Sequence, residues 1–244
     1  MLGNFSRSQH AEELALWEQI FEGTKAGTFV EMGALDGLTF SNTAAYEQVL
    51  GWRGILIEAN PRMCPLLWAN RPMALALCTA VSSDYSSIRM EKGSYTATFG
   101  EVAEMDPQFR RKTHKSPGRY NQQHVPSAPL GQLLRMVGVR FIDLFSLDVE
   151  GSEYKVLQTF DWTIPVRAWC IEVMSRRHSA EIGALMRSHG YVRREWAVKA
   201  SPSLSDNELW VWGNVTELKE GFNRRHHRWS QFERSRMNWS APVA

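Results

Sequence analysis

Residues 28–37 read TFVEMGALDG, a short apolar run that stops at an acid and passes into a turn holding Gly33 and Gly37. The pattern recurs downstream. GILIE (54–58) is apolar up to Glu58, FIDLFSLDVEG (141–151) up to Asp148 and Glu150, and RAWCIEVM (167–174) up to Glu172. MALALCTAVS (73–82) is a further apolar run without the acid. Helical segments separate these runs. One starts at Ser41 or Asn42 and stops at Gly51. Another starts at Asn60-Pro61, as N-cap and first helical residue, with Pro65 crowding its first turn. LGQLLRMVG (130–138), SEYKVLQTFDW and SAEIGALMRSHG (179–190, with a Ser cap and a Gly stop) complete the set. Runs that are apolar throughout belong to strands covered on both faces. Strands alternating with helices build a parallel sheet between helical layers. YVRREWAV and NELWVW then read as an antiparallel closing hairpin at the sheet edge. The expected fold is an α/β sandwich of about seven strands, mostly parallel.

The rest of the chain arranges itself around that frame. Residues 1–27 are expected as an N-terminal helix, with Leu14, Trp17 and Phe21 at helical spacing before Gly23. Residues 28–220 form the main domain, within which 83–128 is an insertion placed over one face as a lid, and 221–244 is a basic tail. With 244 residues, 43% hydrophobic and 22% charged, the chain is neither disordered nor of low complexity. No apolar stretch approaches the roughly 18 residues of a membrane span, and the N-terminal residues lack the apolar core of a secretion signal. Cys64, Cys78 and Cys170 are too few for a disulfide framework and lack a Cys-x-x-Cys spacing. The expected setting is therefore reduced and cytoplasmic. The net charge of +2 is a near-cancellation: residues 107–128 carry +5, residues 221–244 carry +4, and the remainder −7.

In an open parallel sheet, ligands bind beyond the C-terminal strand ends, near the point where strand order reverses. The turn after Glu31 lacks both G-x-G-x-x-G and the P-loop pattern. Glu31 would repel a pyrophosphate but attract an ammonium or sulfonium, and S-adenosylmethionine carries both. Gly33 and Gly37 would allow close backbone approach. Glu58, 25 residues after Gly33, is placed to accept hydrogen bonds from both ribose hydroxyls. At the strand ends, Asp148 would take a proton from an acceptor hydroxyl or hold an ammonium, with Glu150 on the same face. Glu153 reads as a helix-terminus acid favoured by the dipole. Asp148 with Glu172 offers Mg²⁺ two oxygen ligands, but no third carboxylate stands beside Glu172, so a protein base is favoured over a metal. His114, His124 and His178 are lesser candidates for the base.

Three blocks, FVEMGALDGLTFSNT, GWRGILIEANP and IDLFSLDVEGSEYKVLQTFDW, resemble the signature blocks of FkbM-type S-adenosylmethionine-dependent methyltransferases. VPSAPLGQLL (125–134) resembles the segment leading to their fourth strand, so the similarity covers residues 28–174. The resemblance implies a Rossmann-like seven-stranded methyltransferase sandwich and methyl transfer to a hydroxyl of a glycan, lipid or polyketide-like acceptor. It also implies that Glu31, Gly33, Asp36, Gly37, Ser41, Asn42 and Asp148 surround the methionine end of the cofactor. Glu58 would hold the ribose, and Thr79, Ala80, Val81 and Ser82 would flank the adenine. The basic insertion and the region after residue 190 depart from the family pattern. If the two basic segments face the cleft, the acceptor is anionic; a rival reading makes it RNA, with Arg and aromatics interleaved in the tail at Arg228, Trp229, Phe232 and Arg234. A solvated loop and a docked terminal helix are the plain alternative. A fold that binds without turnover and an oxidoreductase are weaker readings, because the acids are intact and the dinucleotide glycines are missing.

Overall fold

The structure is a computed structural model and describes residues 2–92, 99–101, 122–173, 176–196 and 206–213. The basic cluster Arg110 to Arg119, His114 and the tail 221–244 lie outside the described residues.

The main sheet contains β1 (Thr28–Met32), β2 (Arg53–Glu58), β3 (Leu75–Cys78), β8 (Ile142–Leu147), β9 (Val166–Glu172), β10 (Tyr191–Arg194) and β11 (Asn207–Trp212), in the order β10-β11-β9-β8-β1-β2-β3. Pairings among β3, β2, β1, β8 and β9 are parallel, and β11 runs antiparallel to both β9 and β10. The expected α/β sandwich with a mostly parallel sheet is therefore present. One detail changes. NELWVW inserts between β9 and β10 and so leaves YVRR at the edge. Its burial explains this: Leu209, Trp210 and Val211 are nearly inaccessible, which an edge strand would not provide.

Period-two alternation assigns each strand residue to a face. Val30, Met32, Ile55, Ile57, Phe145, Leu147, Trp169 and Ile171 pack with Leu130 and Leu134 of α4 (Leu130–Met136), Val156 and Leu157 of α5 (Glu153–Gln158), and Ile182 and Met186 of α6 (Arg176–Ser188). The opposite parity, Phe29, Leu56, Leu144, Ala168 and Cys170, packs with Leu16 and Phe21, with Tyr46 of α2 (Ala44–Leu50) and with Leu67 of α3 (Cys64–Asn70). Glu31, Glu58, Asp148 and Glu172 share this second parity. One rule therefore brings four acids to a single face of the sheet.

That face is covered by the N-terminal segment, where α1 (Glu12–Leu16) runs on through Trp17–Phe21 to Gly23. The expected helix is there, but it is shorter, and its buried residues include Glu12 and Glu13. Other boundaries shift as well. α3 begins at Cys64 rather than at Pro61, with Pro65 in its first turn, where a missing N–H costs nothing. α6 is already helical at Arg176, so Ser179 lies inside it and donates to Glu208.

The run 73–82 divides in two. β3 ends at Cys78, and β4 (Ala80–Val81) joins a second sheet with β5 (Ser86–Lys92), β6 (Phe99–Glu101) and β7 (Gln122–Ala128), ordered β4-β7-β5-β6. The described part of segment 83–128 is thus a sheet, tied by the hydroxyls of Ser82, Ser86 and Ser127 at 2.8–3.4 Å.

The expectation of free thiols is corrected at two positions: Cys64 and Cys78 form a disulfide. Glu58 and Cys78 are register partners, and α3 starts just beyond β2, which brings the two cysteine Cα atoms to 6.1 Å, within the span a disulfide bridges. Cys170 is a buried free thiol, as expected. No helix among the described residues is long and apolar enough to cross a membrane.

Candidate active site

Strand order reverses between β1 and β8, and the loops beyond their C-terminal ends cross at close range. The N–H of Asp148 donates to the carbonyl of Met32 at 3.1 Å. Gly33 has φ +85°, and a Cβ there would stand 1.8 Å from the Asp148 carbonyl oxygen. Gly37, at φ +84°, is likewise pressed against Arg71 and Leu67. Both glycines serve close approach within the protein itself, a demand that sequence alone had placed on a ligand.

Glu31 ends β1 nearly inaccessible. Its Oε2 accepts from Ser41 Oγ at 2.8 Å and Thr43 Oγ1 at 2.6 Å, and its Oε1 from the Asn42 N–H at 2.7 Å. Arg71 stands 3.7 Å away. Burial raises the Glu31 pKa, and these partners oppose the rise. Arg71, itself 1% exposed, also pairs with Glu47 at 3.0 Å and donates to the Gly37 carbonyl, Ser41 Oγ and Thr43 Oγ1. Ser41 Oγ in turn accepts from the N–H groups of Thr43 and Ala44, but α2 begins only at Ala44 with Thr43 as its N-cap, so the expected start at Ser41 or Asn42 is corrected. Glu31 is therefore a loop anchor, and the cation it meets is Arg71.

Asn42 bridges the switch point, donating from Nδ2 to Ser146 Oγ on β8 at 2.9 Å. Its Oδ1 is buried without a hydrogen-bond partner. Asp36 closes a local turn, accepting from the N–H groups of Leu38 and Thr39 and from the Thr39 hydroxyl. Burial pushes its carboxyl up, but these donors bring it below the usual value. Glu58, 6% exposed at the end of β2, accepts from the N–H of Leu35 at 2.7 Å and of Asn60 at 2.6 Å. Burial outweighs those donors and raises its pKa to about 7. Ala80, Val81 and Ser82 are buried in the joint between the two sheets.

On the other side of the switch point stand Asp148, Glu150, Glu153 and Glu172. The Leu147–Ile171 register places Asp148 opposite Glu172. Burial raises the Asp148 pKa, while a hydrogen bond from Glu172 lowers it; Glu172 rises to about 11, through burial and the nearby Asp148 charge. The two carboxyls thus face each other across the ends of β8 and β9, and each raises the other's burden of negative charge. Glu150 sits at φ 60° and is pushed to about 9 by burial and by Asp148 and Glu153. Glu153 is fully buried and rises to about 7 by desolvation. Glu12, buried in α1, adds its charge to the field at Asp148.

Glu12 and Arg71 escape sequence reasoning, and Glu153, read there as a helix-terminus acid, is also fully buried beside Asp148. Nothing local marks an acid in an amphipathic helix or an arginine at a helix end as buried. Strain gathers here too: Ala11, Leu35, Phe40 and Glu150 all have φ between 50° and 63°, in the segments around these strand ends. His124 is exposed on β7 beside Ser87, away from the acids. A surface depression of about 520 Å³ beside α4 and α5, lined by Gln132, Arg135 and Trp162, includes none of the strand-end acids.

No curated protein matches the chain in sequence. Among solved structures, it is similar to precorrin-6y C5,15-methyltransferase from Geobacter metallireducens GS-15, at 8% identity over 86% of this chain and 91% of that one, TM-score 0.48. Fibrillarin from Aeropyrum pernix with bound S-adenosyl-L-methionine shows 15% identity over 84% and 74%, TM-score 0.44. A TehB-like methyltransferase from Corynebacterium glutamicum shows 9% identity over 86% and 92%, TM-score 0.44. The model of the methyltransferase FkbM domain matches residues 31–193, which takes in the end of β1, the switch point and every strand-end acid from Glu31 to Glu172. The chain belongs to the FkbM family of S-adenosylmethionine-dependent methyltransferases.

Proposed function

We propose that this chain methylates a hydroxyl oxygen of a glycan, lipid or polyketide-like acceptor, with the Asp148–Glu172 carboxyl pair handling the acceptor's proton. The supporting observation is that pair: two carboxyls at the adjacent ends of β8 and β9, hydrogen-bonded to each other beside the switch point. Methylating an alcohol requires loss of its proton, and a positioned base contributes about 10²–10⁴-fold. A tertiary-amine or thioether acceptor would have no such proton to give.

The residues fit the cofactor. Asn42 Oδ1 is a buried acceptor lacking a donor, which suits an ammonium. Glu58 offers a carboxylate at the end of β2 for ribose hydroxyls. Glu31, Asp36, Gly33, Gly37 and Ser41 act through the backbone they hold, and Ala80 to Ser82 close the adenine side. When bound, S-adenosylmethionine supplies a methyl already activated by a positive sulfur. Positioning can then supply roughly 7–11 kcal/mol of the acceleration. Asp148 takes the hydroxyl proton on a carboxylate oxygen while Glu172 holds its partner in place. The second sheet, built from segment 83–128, forms one wall of the acceptor site.

RNA is the second reading, supported by the +5 and +4 charges of residues 107–128 and 221–244. Transfer of tritiated methyl groups to fractionated glycans, small alcohols and RNA separates the two. Labelling of a neutral glycan that persists at high salt supports the first reading, whereas RNA labelling that falls steeply with salt overturns it.

A further inference from the structure

Glu153 is fully buried, yet only one of its oxygens is used. Oε1 accepts from the N–H groups of Val149 and Gly151, both at 3.0 Å. Oε2 has no hydrogen-bond partner, and neither does the buried Oε2 of Glu172. One carboxylate oxygen each from Asp148, Glu153 and Glu172 fall within 4.8 Å of one another. Among the described residues, no ion pair reaches any of the three.

A helix-terminus acid needs only the bonds that Oε1 makes. The second oxygen is left over, and a buried oxygen without a donor costs about 1–3 kcal/mol. A hard cation removes that cost and the mutual repulsion together. Mg²⁺ takes oxygens at about 2.0–2.1 Å, and the somewhat larger divalent ions at up to about 2.6 Å. Oxygens on opposite sides of such an ion therefore stand about 4–5 Å apart. The spread of the three carboxylates is that of a coordination shell.

We propose that Asp148, Glu153 and Glu172 form a binding site for a hard divalent cation of the Mg²⁺ or Mn²⁺ class. The ligands come from the end of β8, the first turn of α5 and the end of β9, so the site exists only in the folded chain. Sequence reasoning found two of them and stopped for want of a third, which tertiary packing supplies from Glu153. Three protein oxygens leave open positions on a six-coordinate ion. For an acceptor, such a position would bind and acidify a hydroxyl, or offset the surrounding acids for an anionic group. That last consequence rests on the methyl-transfer reading; the binding of the ion does not.

The test is titration of the full chain with Mn²⁺, without cofactor or acceptor, following loss of the free-ion electron paramagnetic resonance signal. One ion per chain is expected, displaced by Mg²⁺. Glu153→Gln and Glu172→Gln should each weaken binding about 10-fold or more, the scale of losing a supporting group at a metal site. Circular dichroism checks folding, and should Glu153→Gln not fold, Glu172→Gln and Asp148→Asn carry the test. No binding at millimolar Mn²⁺, or undiminished binding by folded variants, overturns the site. Calorimetry with S-adenosylhomocysteine separates the two readings. Ion binding without nucleoside binding upholds the cation site and sinks methyl transfer; nucleoside binding without ion binding does the reverse.

Discussion

On the β1–β2 side of the switch point, Glu31, Asp36 and Glu58 accept hydrogen bonds from Ser41, Asn42, Thr43, Leu38, Thr39, Leu35 and Asn60, and Arg71 stands beside Glu31. On the β8–β9 side, Glu153 and Glu172 each keep an oxygen without a donor, and Asp148 leans on Glu172. Both sides bury acids at strand ends. They differ in what surrounds them. The donors on the first side are backbone and hydroxyl groups of loop 35–43 and of Asn60, so the carboxylates there fix loops. The second side offers the N–H groups of Val149 and Gly151 to Glu153 and that of Glu150 to Asp148, and no hydroxyl or arginine among the described residues. Its carboxylates stay available for a proton or a cation. A scaffold and a reactive surface are built from the same residue type.

Breaking the scaffold side should cost most in stability. Arg71→Met leaves Glu31 and Glu47 buried without their cation, and losing one partner of a buried pair costs about 3–5 kcal/mol. Urea denaturation should show this loss, and a change below 1 kcal/mol would mean that Arg71 does not hold the loop. On the reactive side, Asp148→Asn should keep the fold and S-adenosylhomocysteine affinity but lower turnover by about 10²-fold or more. Unchanged turnover removes Asp148 from the chemistry.

Glu58 stands between the two classes, since it is saturated like a scaffold acid yet its pKa is raised to about 7 like the reactive ones. Glu58→Ala should weaken S-adenosylhomocysteine by about 10-fold or more by calorimetry, equivalent to about 1.4 kcal/mol. Equal affinity in the mutant places Glu58 wholly with the scaffold.

The dependence on pH sharpens the contrast further. Glu153, Glu150 and Glu172 are raised from 4.5 to about 7, 9 and 11. Between pH 4.5 and those values the folded chain binds more protons than the unfolded one. Stability is therefore greatest at the acid end and falls as pH rises through this window. Glu150→Gln removes one such group without emptying its space and should stabilise the protein at neutral pH by about 1–3 kcal/mol. A destabilised Glu150→Gln, or stability rising from pH 5 to 9, would show that these carboxyls are ionised and paired after all.

Much of the frame was legible in the residues. Continuous apolar runs ending at Glu31, Glu58, Asp148 and Glu172 located four strands and the acids at their ends. Strand periodicity is a local property, readable over five or six residues. The insertion of NELWVW between β9 and β10 was not legible, because a hairpin pattern does not say which strand a third one will pair. Nor was the Cys64–Cys78 bond, which depends on β3 lying beside β2.

The site divides along the same line. Sequence alone determined which acids reach the end of the sheet; the packing of each strand's two faces decided that four of them share one. Tertiary structure decided which of them are satisfied. Arg71, distant from Glu31 in the chain, neutralises one side, whereas among the described residues no ion pair reaches Asp148, Glu153 or Glu172. The reason is physical. A side chain's direction follows from the backbone geometry of its own strand, but its ionisation depends on every charge and donor packed around it.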